Sequence, residues 1–290
     1  MKISLVTDEV SADLETAIEL GLEWGVDAFE LRGIGSQRVP HFSDYQKQRV
    51  LELREAYGIH IAAISPGLFK IPYPPKKRQQ FSLQVIDSHY YGQWQAARRL
   101  LDYHIQDLLP ASIEYAQQVG ARQIIAFSFE RGSQPPGLPP DEILEIFQMA
   151  ARQVAQAGMQ LSIEVENNFW ADTGEHTAAI MRAVGEAGLG VNWDPGNAFD
   201  AGDVPFPNGY QAIREYIQHV HFKDAVRRPD GSVDYAIQGD IDWAGQVRAL
   251  HEDGYQGFVS VEPHLQPKVA AARALTARLK QLVQMNERPA

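Results

Sequence analysis

The chain has 290 residues, of which 44% are hydrophobic and 22% are charged, and its formal net charge is −11. This composition is ordinary for a globular protein, and the excess of acid argues against broad contact with nucleic-acid phosphates, which requires a basic surface. Because the chain contains no cysteine, disulfides and thiolate metal sites are excluded, and any metal must bind through oxygen and imidazole. No segment fits a membrane span, and the first apolar run ends at Asp8. We therefore expect a cytoplasmic protein without a signal peptide or membrane anchor.

Strands and helices are predicted to alternate along the whole chain. The predicted strands cover residues 2–7, 26–31, 59–65, 122–129, 159–165, 190–194, 219–222 and 257–262. The predicted helices cover residues 11–23, with Ser11 as the cap, and 43–57, 76–119, 141–156, 175–186, 209–218, 243–252 and 266–287. Loops are predicted at residues 32–42, 70–75, 132–140 and 231–240.

The number of these alternating elements predicts a (β/α)₈ TIM barrel of the α/β class. No linker divides the chain, so residues 1–290 are predicted to form a single domain. Residues 76–119 are too long for one connection, which predicts a helical elaboration after strand 3. An open, doubly wound sheet is the alternative, but the first strand is not followed by Gly-x-Gly-x-x-Gly.

The candidate site lies where predicted strands end in acids or imidazoles. Parallel barrel strands bring their carboxyl ends to one mouth, where Glu164 or Glu166, Asp194, His221 and Glu262 are expected to converge. Carboxylates with one imidazole suit a divalent ion such as Mn²⁺, Mg²⁺ or Co²⁺. Each residue also has a purely structural interpretation. Asp194, for example, precedes Pro195-Gly196 and is typical of a turn.

The two-residue period of a strand narrows these choices. His219 and His221 share one side of their strand, and we prefer His221 because His219 should lie deeper. Glu164 and Glu166 also share a side, so one is expected to bind the metal and the other to lie toward the substrate. Two glutamates on opposite faces of an enediolate could remove and return a proton.

Several segments resemble the xylose isomerase-like barrel superfamily, in particular its sugar phosphate isomerase/epimerase branch. They are Gly158-Met-Gln-Leu-Ser-Ile-Glu164, Asp194-Pro-Gly-Asn197, His219-Val-His-Phe-Lys-Asp224, Gly239-Asp-Ile-Asp-Trp243 and Gly254-Tyr-Gln-Gly-Phe-Val-Ser-Val-Glu262-Pro-His264. The resemblance implies the metal ligands Glu164, Asp194, His221 and Glu262. The implied cofactor is one divalent ion, with Mn²⁺ first and Mg²⁺, Co²⁺ or Zn²⁺ as alternatives.

The resemblance also implies a role in carbohydrate metabolism, as an isomerase or epimerase that acts on a ketose or related polyol through a metal-held enediolate. Glu164 and Glu262 are then the catalytic residues. In the ketose 3-epimerases of this group an arginine follows the liganding histidine by six positions and binds substrate, and Arg227 stands there. Those enzymes have a histidine where this chain has Asn197, so Asn197 is a candidate substrate-binding residue and the substrate class is left open.

Three further charged residues complete the predicted substrate site. Lys223, Lys70 and Glu166 could orient substrate groups, although each lysine could equally be a solvated loop charge. No glycine-rich phosphate cradle follows strands 7 and 8, which favours an unphosphorylated substrate. A homodimer or homotetramer is the expected assembly, with no nucleic-acid or membrane partner.

Other activities fit the same residues. An enolate can expel a β-hydroxyl when an acid is close, so a dehydratase of an inosose-like polyol is the main alternative. An apurinic-site endonuclease would need extra histidines at the ends of strands 2 and 3, where this chain has Glu30 and Ser65, with His60 at the wrong end of its strand. A non-catalytic ligand-binding barrel is the remaining possibility. The number of metal ions bound per chain separates the endonuclease and the non-catalytic barrel from the sugar enzyme.

Overall fold

The computed structural model describes residues 1–73 and 88–287. Its eight parallel barrel strands are β1 (Lys2–Val6), β2 (Ala28–Leu31), β3 (His60–Leu68), β4 (Gln123–Ala126), β5 (Gln160–Glu164), β6 (Leu189–Trp193), β7 (Ile217–Phe222) and β8 (Phe258–Val261). Each strand pairs with its sequence neighbours, and β8 closes the barrel against β1. The predicted single-domain TIM barrel is confirmed.

Helices surround the barrel and connect its strands. The longer ones span Leu14–Glu23, Asp44–Tyr57, Ser88–Tyr103, Leu109–Val119, Asp141–Gln156, Gly174–Val184, Trp243–Glu252 and Lys268–Glu287. Shorter helical turns span Thr7–Val10, His104–Leu108, Pro195–Asp200, Pro205–Gly209, Tyr210–Ile213 and Arg214–Tyr216. Among the described residues, none of the helices combines the length and apolar character that crossing a membrane requires.

The apolar core lies between the strands and this helical layer. On β1 and β2, Leu5 and Phe29 face the helix Leu14–Glu23, and a Cβ added to Gly21 of that helix would lie 2.6 Å from the Phe29 ring. On the far side, the Phe222 and Trp243 rings have centroids 4.4 Å apart. Such close strand-to-helix packing holds the strand ends in fixed positions, which a functional site at the mouth requires.

The inside of the barrel is polar. The hydroxyl oxygens of Ser4 and Ser260 lie 2.7 Å apart, and Ser260 Oγ lies 2.9 Å from His219 Nε2. On the opposite wall Gln123 donates to Ser162. These cross-strand hydrogen bonds satisfy buried polar groups beneath the mouth.

Several predicted strand and helix bounds are wrong. The third strand continues to Leu68 instead of ending at Ser65, because its pairing with β4 skips from Ile64 to Leu68 and so tolerates Pro66. The helix predicted over residues 209–218 is reduced to short turns. Its last two residues join β7, where Ile217 pairs with Val191 of β6.

Two predicted loops contain antiparallel hairpins. Residues 32–42 contain Gly33–Ile34 paired with Gln37–Arg38, and residues 231–240 contribute Val233–Ala236, paired with Asp224–Arg227. Gly231, with φ of +89°, allows the second hairpin to turn. Both hairpins bring side chains to the mouth.

The helix predicted over residues 11–23 begins later than predicted, at Leu14. Asp13, not Ser11, caps it by accepting a hydrogen bond from Thr16 N at 2.9 Å. The elaboration predicted over residues 76–119 is helical from Ser88 to Val119 with a π-type turn at His104–Leu108, which confirms the helical elaboration after strand 3 for that part. Residues 76–87 lie outside the described residues.

Candidate metal centre and mouth cavity

Four strand ends bring one acid or imidazole each to the carboxyl mouth of the barrel. Glu164 is the last residue of β5, Asp194 follows β6, His221 lies near the end of β7, and Glu262 follows β8. One metal-ligating atom of each lies within 4.8 Å of the other three, and all four side chains are buried. These are the four residues predicted to bind the metal, and they are called the cage below.

The atoms of the cage fit a bound cation. His221 Nδ1 lies 3.2 Å from Glu262 Oε2, 3.5 Å from Asp194 Oδ2 and 3.6 Å from Glu164 Oε1. This nitrogen is buried and has no hydrogen-bond partner. A buried imidazole nitrogen that faces three carboxylates without a hydrogen bond is poorly satisfied by protein alone, whereas a divalent ion would be coordinated by all four groups.

Asp194 serves both the turn and the cage. Its Oδ1 accepts a hydrogen bond from Asn197 N at 2.9 Å and so caps the helix Pro195–Asp200, which is the structural role that the sequence left open. Its Oδ2 forms no hydrogen bond, although Lys223 Nζ lies 2.8 Å away as an ion pair.

Glu30 lies beneath the cage and orients its imidazole. Glu30 Oε2 lies 2.9 Å from His221 Nε2 and 3.0 Å from His219 Nε2, and all three residues are buried. Burial alone would raise the pKa of Glu30, but His221 and His219 outweigh it and hold the pKa below its usual value. A carboxylate that accepts from Nε2 leaves Nδ1 free for a metal. His219 lies deeper than His221, as predicted.

Lys223 is a buried cation at the edge of the cage. Its Nζ lies 2.7 Å from Glu262 Oε2 and 2.8 Å from Asp194 Oδ2, and it faces the Tyr235 ring at 5.5 Å. Burial alone would lower the pKa of Lys223, but the two carboxylates raise it well above its usual value. Lys223 therefore neutralises part of the cage charge.

Glu166 and its partners form one wall of the mouth. Lys70 Nζ lies 3.2 Å from Glu166 Oε1, and Asn197 Nδ2 donates to Glu166 Oε2 at 3.1 Å. Burial, followed by the charge of Glu164, raises the pKa of Glu166. Lys70 also lies 4.2 Å from the Phe127 ring centroid. The structure thus places three predicted substrate residues beside the cage.

Arg32 and His264 contact Glu262 from the opposite wall, and neither was predicted. Arg32 Nη1 lies 2.5 Å from Glu262 Oε1, and its Nη2 lies 2.5 Å from Glu9 Oε1. His264 Nε2 lies 3.3 Å from Glu262 Oε2. Burial would lower the pKa of His264, but Glu262 raises it to about 9. Burial alone would raise the pKa of Glu262, but Lys223, His264 and His221 outweigh it and hold the pKa well below its usual value.

A cavity of about 340 Å³ opens directly above the cage. Its walls comprise Arg32, Arg38, Ser65, Lys70, Phe127, Glu164, Glu166, Asn197, Tyr235, Glu262 and His264. The volume lies at the lower end of the range for small-molecule sites, about 300–1,000 Å³. This space is called the mouth cavity below.

Two predicted substrate residues, Lys223 at the edge of the cage and Arg227, are not part of the wall of the mouth cavity. Arg227 lies on the hairpin strand Asp224–Arg227, where its guanidinium faces the Phe199 ring at 4.7 Å and donates to Phe199 O and to Gly231 O. Among the described residues, Arg227 is not part of the cavity wall. Its role in substrate binding stays a prediction.

The residues that sequence reasoning missed come mainly from segments outside the barrel strands. Arg38 and Tyr235 lie on the two hairpins, and Arg32 follows β2. Glu30 could have been found from its place near a predicted strand end, and His264 from its place directly after Glu262-Pro263. Arg38 offered no such signal, because its hairpin strands have two residues each.

The closed parallel barrel and the cage at its carboxyl mouth define a TIM-barrel protein with a candidate metal centre. The model of the xylose isomerase-like TIM barrel family matches residues 18–282, so the chain belongs to that family. The predicted family is therefore confirmed. No curated protein sequence matches the chain.

Solved structures share the fold at low sequence identity. An L-ribulose 3-epimerase has a TM-score of 0.70 and 18% identity over 99% of this chain and 96% of its own. The probable 3-DHS dehydratase AsbF from Bacillus anthracis has a TM-score of 0.69 and 18% identity over 97% of this chain and 99% of its own. The IolI protein with a bound zinc has a TM-score of 0.69 and 17% identity over 99% of both chains. At these identities the likeness concerns the fold.

Proposed function

We propose that the chain is a divalent-metal-dependent isomerase or epimerase of a small ketose or related polyol. The observation that carries the proposal is the cage of Glu164, Asp194, His221 and Glu262, buried at the floor of the mouth cavity with His221 Nδ1 unbonded and facing three carboxylates. The epimerase, the dehydratase and the zinc-containing IolI protein of the same fold support an enzyme of this general kind.

The cage residues would hold one divalent ion, with Mn²⁺ proposed first and Mg²⁺, Co²⁺ or Zn²⁺ as alternatives. When bound, such an ion acidifies the C–H between a carbonyl and a neighbouring hydroxyl. Oxygen ligands dominate the cage, which favours hard or borderline ions, and the zinc in the IolI structure keeps Zn²⁺ among the candidates.

Glu164 and Glu262 are proposed as the two bases. They extend from β5 and β8, which are separated by β6 and β7 on one side of the barrel and by four strands on the other. Each glutamate can therefore reach a different face of a substrate in the mouth cavity, whose wall includes both. One removes a proton to give an enediolate, and the other returns a proton on the opposite face.

The neighbours of Glu262 fix its charge. Arg32, Lys223 and His264 hold its carboxylate ionised, which is the form that can bind a metal or accept a proton, while the charges of Lys223 and His264 lower its pKa and so reduce its strength as a base. Lys70, on the other wall, uses one N–H group on Glu166 and has others that can donate hydrogen bonds to substrate hydroxyls.

A dehydratase of a polyol is the second candidate. Its supporting observation is that two donors, Lys223 Nζ and His264 Nε2, lie 2.7 and 3.3 Å from the same Glu262 oxygen. An acid beside the base could protonate a departing β-hydroxyl. Formation of an α,β-unsaturated carbonyl product, which absorbs in the near ultraviolet, would distinguish this activity from isomerisation.

The endonuclease and the non-catalytic barrel are less well supported. Where such an enzyme needs extra histidines this chain has Glu30, which pairs with His219 and His221, and Ser65, which accepts hydrogen bonds from Arg38. The net charge of −11 also disfavours a nucleic-acid substrate. One ion per chain by elemental analysis supports the sugar enzyme, three would support the nuclease, and none the binding barrel.

The decisive experiment is a screen of ketoses, aldoses and inososes in deuterated water with added metal, followed by NMR. Loss of the C–H signal next to a carbonyl, dependent on the metal and absent in Asp194→Asn, is the expected result. Activity confined to phosphorylated sugars would contradict the proposed unphosphorylated substrate. We also propose a cytoplasmic enzyme of carbohydrate metabolism that forms a homodimer or homotetramer, which fractionation and light scattering would test.

A further inference from the structure

Arg38 is held at the mouth cavity by contacts that orient its guanidinium. It ends the hairpin strand Gln37–Arg38, and its side chain crosses to β3. There Nε donates to Ser65 O at 2.8 Å and Nη2 donates to Ser65 Oγ at 3.1 Å. Two fixed hydrogen bonds to one residue leave the guanidinium little freedom to turn away from the cavity.

Gly67 makes room for this arrangement. Its φ is +76°, and a Cβ at this position would lie 3.2 Å from Arg38 Nε and 3.3 Å from Arg38 Cζ. A side chain there would push the guanidinium out of place, and the backbone conformation is unfavourable for residues other than glycine. Gly67 of β3 and the hairpin that carries Arg38 therefore both determine where the Arg38 guanidinium lies.

Arg38 differs in its charge environment from the other arginine and lysine side chains of the cavity wall. Arg32 is paired with Glu262 at 2.5 Å, and Lys70 is paired with Glu166 at 3.2 Å. Arg38 has no carboxylate within ion-pair distance among residues 1–73 and 95–286. A guanidinium has five N–H groups and stays charged, and the known hydrogen bonds of Arg38 use two of them.

We propose that the mouth cavity selects a carboxylated polyol, a sugar acid with a keto group, whose carboxylate pairs with the free N–H groups of Arg38. This inference rests on the proposed function, because it requires the carbonyl and hydroxyl of the same molecule to face the cage. The charge and the donors of Arg38 then complement the substrate in a cavity whose other arginine and lysine side chains are already neutralised.

A carboxylate suits this site better than a phosphate. The planar fork of one guanidinium matches two carboxylate oxygens. Phosphate sites in TIM barrels instead gather several backbone N–H groups in loops after strands 7 and 8, and the chain has no glycine-rich segment there. Arg38 lies across the mouth, beside β2 and β3.

The carboxylate takes no part in bond making. A proton leaves the carbon beside the carbonyl for Glu164 or Glu262, and the other glutamate returns one to the enediolate. No oxidant, reductant or other co-reactant is needed. The pairing with Arg38 acts by binding and by fixing which end of the molecule reaches the cage.

The test compares three probes that differ at one carbon: D-fructose, D-fructuronate and D-fructose 6-phosphate. The metal-loaded protein is incubated with each in deuterated water, and C–H loss is followed by NMR. We expect kcat/KM to be about 10- to 100-fold higher for fructuronate than for fructose, the range expected for hydrogen bonds to a charged group. A preference for fructose or for its phosphate would overturn the inference.

Substitutions of Arg38 test whether this residue causes the preference for fructuronate over fructose. Arg38→Gln should reduce the fructuronate-to-fructose ratio by about the same 10- to 100-fold, and Arg38→Lys, which keeps the charge but not the fork, should lie between. Arg152→Gln is the matched control, since Arg152 is exposed and pairs with Glu186 at 2.8 Å on the outer face. Thermal unfolding of each variant checks folding. An unchanged ratio in a folded Arg38→Gln would contradict the inference.

Calorimetric binding separates this inference from the proposed function. If fructuronate binds more tightly than fructose and Arg38→Gln loses this difference, the carboxylate site is upheld. If in addition no probe exchanges deuterium, only the isomerase proposal fails. Exchange of fructose without any preference for fructuronate in binding or rate would leave the isomerase standing and refute the carboxylate site. Absence of binding by fructuronate would also refute it.

Discussion

Glu30 should control how tightly the cage binds its metal, although it is not part of the cage. Its Oε2 lies 2.9 Å from His221 Nε2 and 3.0 Å from His219 Nε2. Both imidazoles can then donate to one carboxylate, which fixes the ring of His221 and presents Nδ1 to the three cage carboxylates. Such outer partners typically contribute 10- to 100-fold to metal affinity.

Two substitutions at Glu30 should differ in size. Glu30→Gln keeps an acceptor oxygen but removes the charge, so metal affinity should fall by about 10-fold. Glu30→Ala removes the acceptor of the His221 N–H, whereas His219 Nε2 keeps Ser260 Oγ at 2.9 Å, so affinity should fall by about 100-fold and the free energy of unfolding by about 1–3 kcal/mol for the orphaned His221 group.

The assay is competition for Zn²⁺ or Mn²⁺ against a chelating indicator at fixed pH, with urea unfolding of the metal-free protein alongside. Glu52→Gln is the matched control, because Glu52 lies on the exposed helix Asp44–Tyr57 and pairs only with Arg49 and Gln48 among the described residues. Wild-type metal affinity in a folded Glu30→Ala would refute the proposed orientation of His221.

Three further predictions concern the cage and the buried interior. Glu164→Gln and Glu262→Gln should each lower turnover by about 10² to 10⁴, and each should exchange deuterium with only one substrate epimer; equal residual exchange of both epimers would exclude the two-base assignment. Lys223→Met should destabilise the metal-free protein by about 3–5 kcal/mol in urea unfolding, and less with metal bound, because removing the buried lysine takes away the nearest cation of Asp194, whereas Glu262 keeps Arg32 and His264. Burial lowers the pKa of His104 to about 4, so its contribution to stability is complete above its unfolded pKa of 6.5 and is lost as pH falls toward 4. From pH 7 to pH 4 the wild type should thus lose about 3 kcal/mol more than His104→Asn, and parallel stability curves would contradict this.

The barrel and the cage could be predicted from sequence because both depend on short, regular patterns. Strands such as Leu189–Trp193 are buried and are followed directly by an acid, and parallel strands bring their ends together whatever their separation in sequence. The two-residue period places His219 and His221 on one side of β7, where depth along the strand favours His221, and the resemblance to the family selects Glu164 over Glu166. These inferences require no knowledge of tertiary contacts.

Element bounds were predicted less well, because pairing between strands decided them. Residues 217 and 218 continue a helical pattern, yet they join β7 because β6 offers a pairing partner in Val191. Pro66 suggests the end of a strand, yet β3 continues to Leu68 because β4 pairs beyond it. Local propensity is a weak guide wherever a neighbouring strand supplies hydrogen bonds.

The wall of the mouth cavity is the part of the site that sequence periodicity predicts least well, because its side chains come from hairpins and connections. Arg38 comes from a two-residue hairpin strand, Tyr235 from a second hairpin and Lys70 from the connection after β3. Barrel strands fix the cage, whereas these segments can change without disturbing the barrel. This division of roles explains how proteins of one fold, at 17–18% identity to this chain, carry names as different as an epimerase and a dehydratase. Substrate choice in this chain should therefore respond to substitutions at Arg38 and Tyr235, while metal binding responds to substitutions at the strand ends.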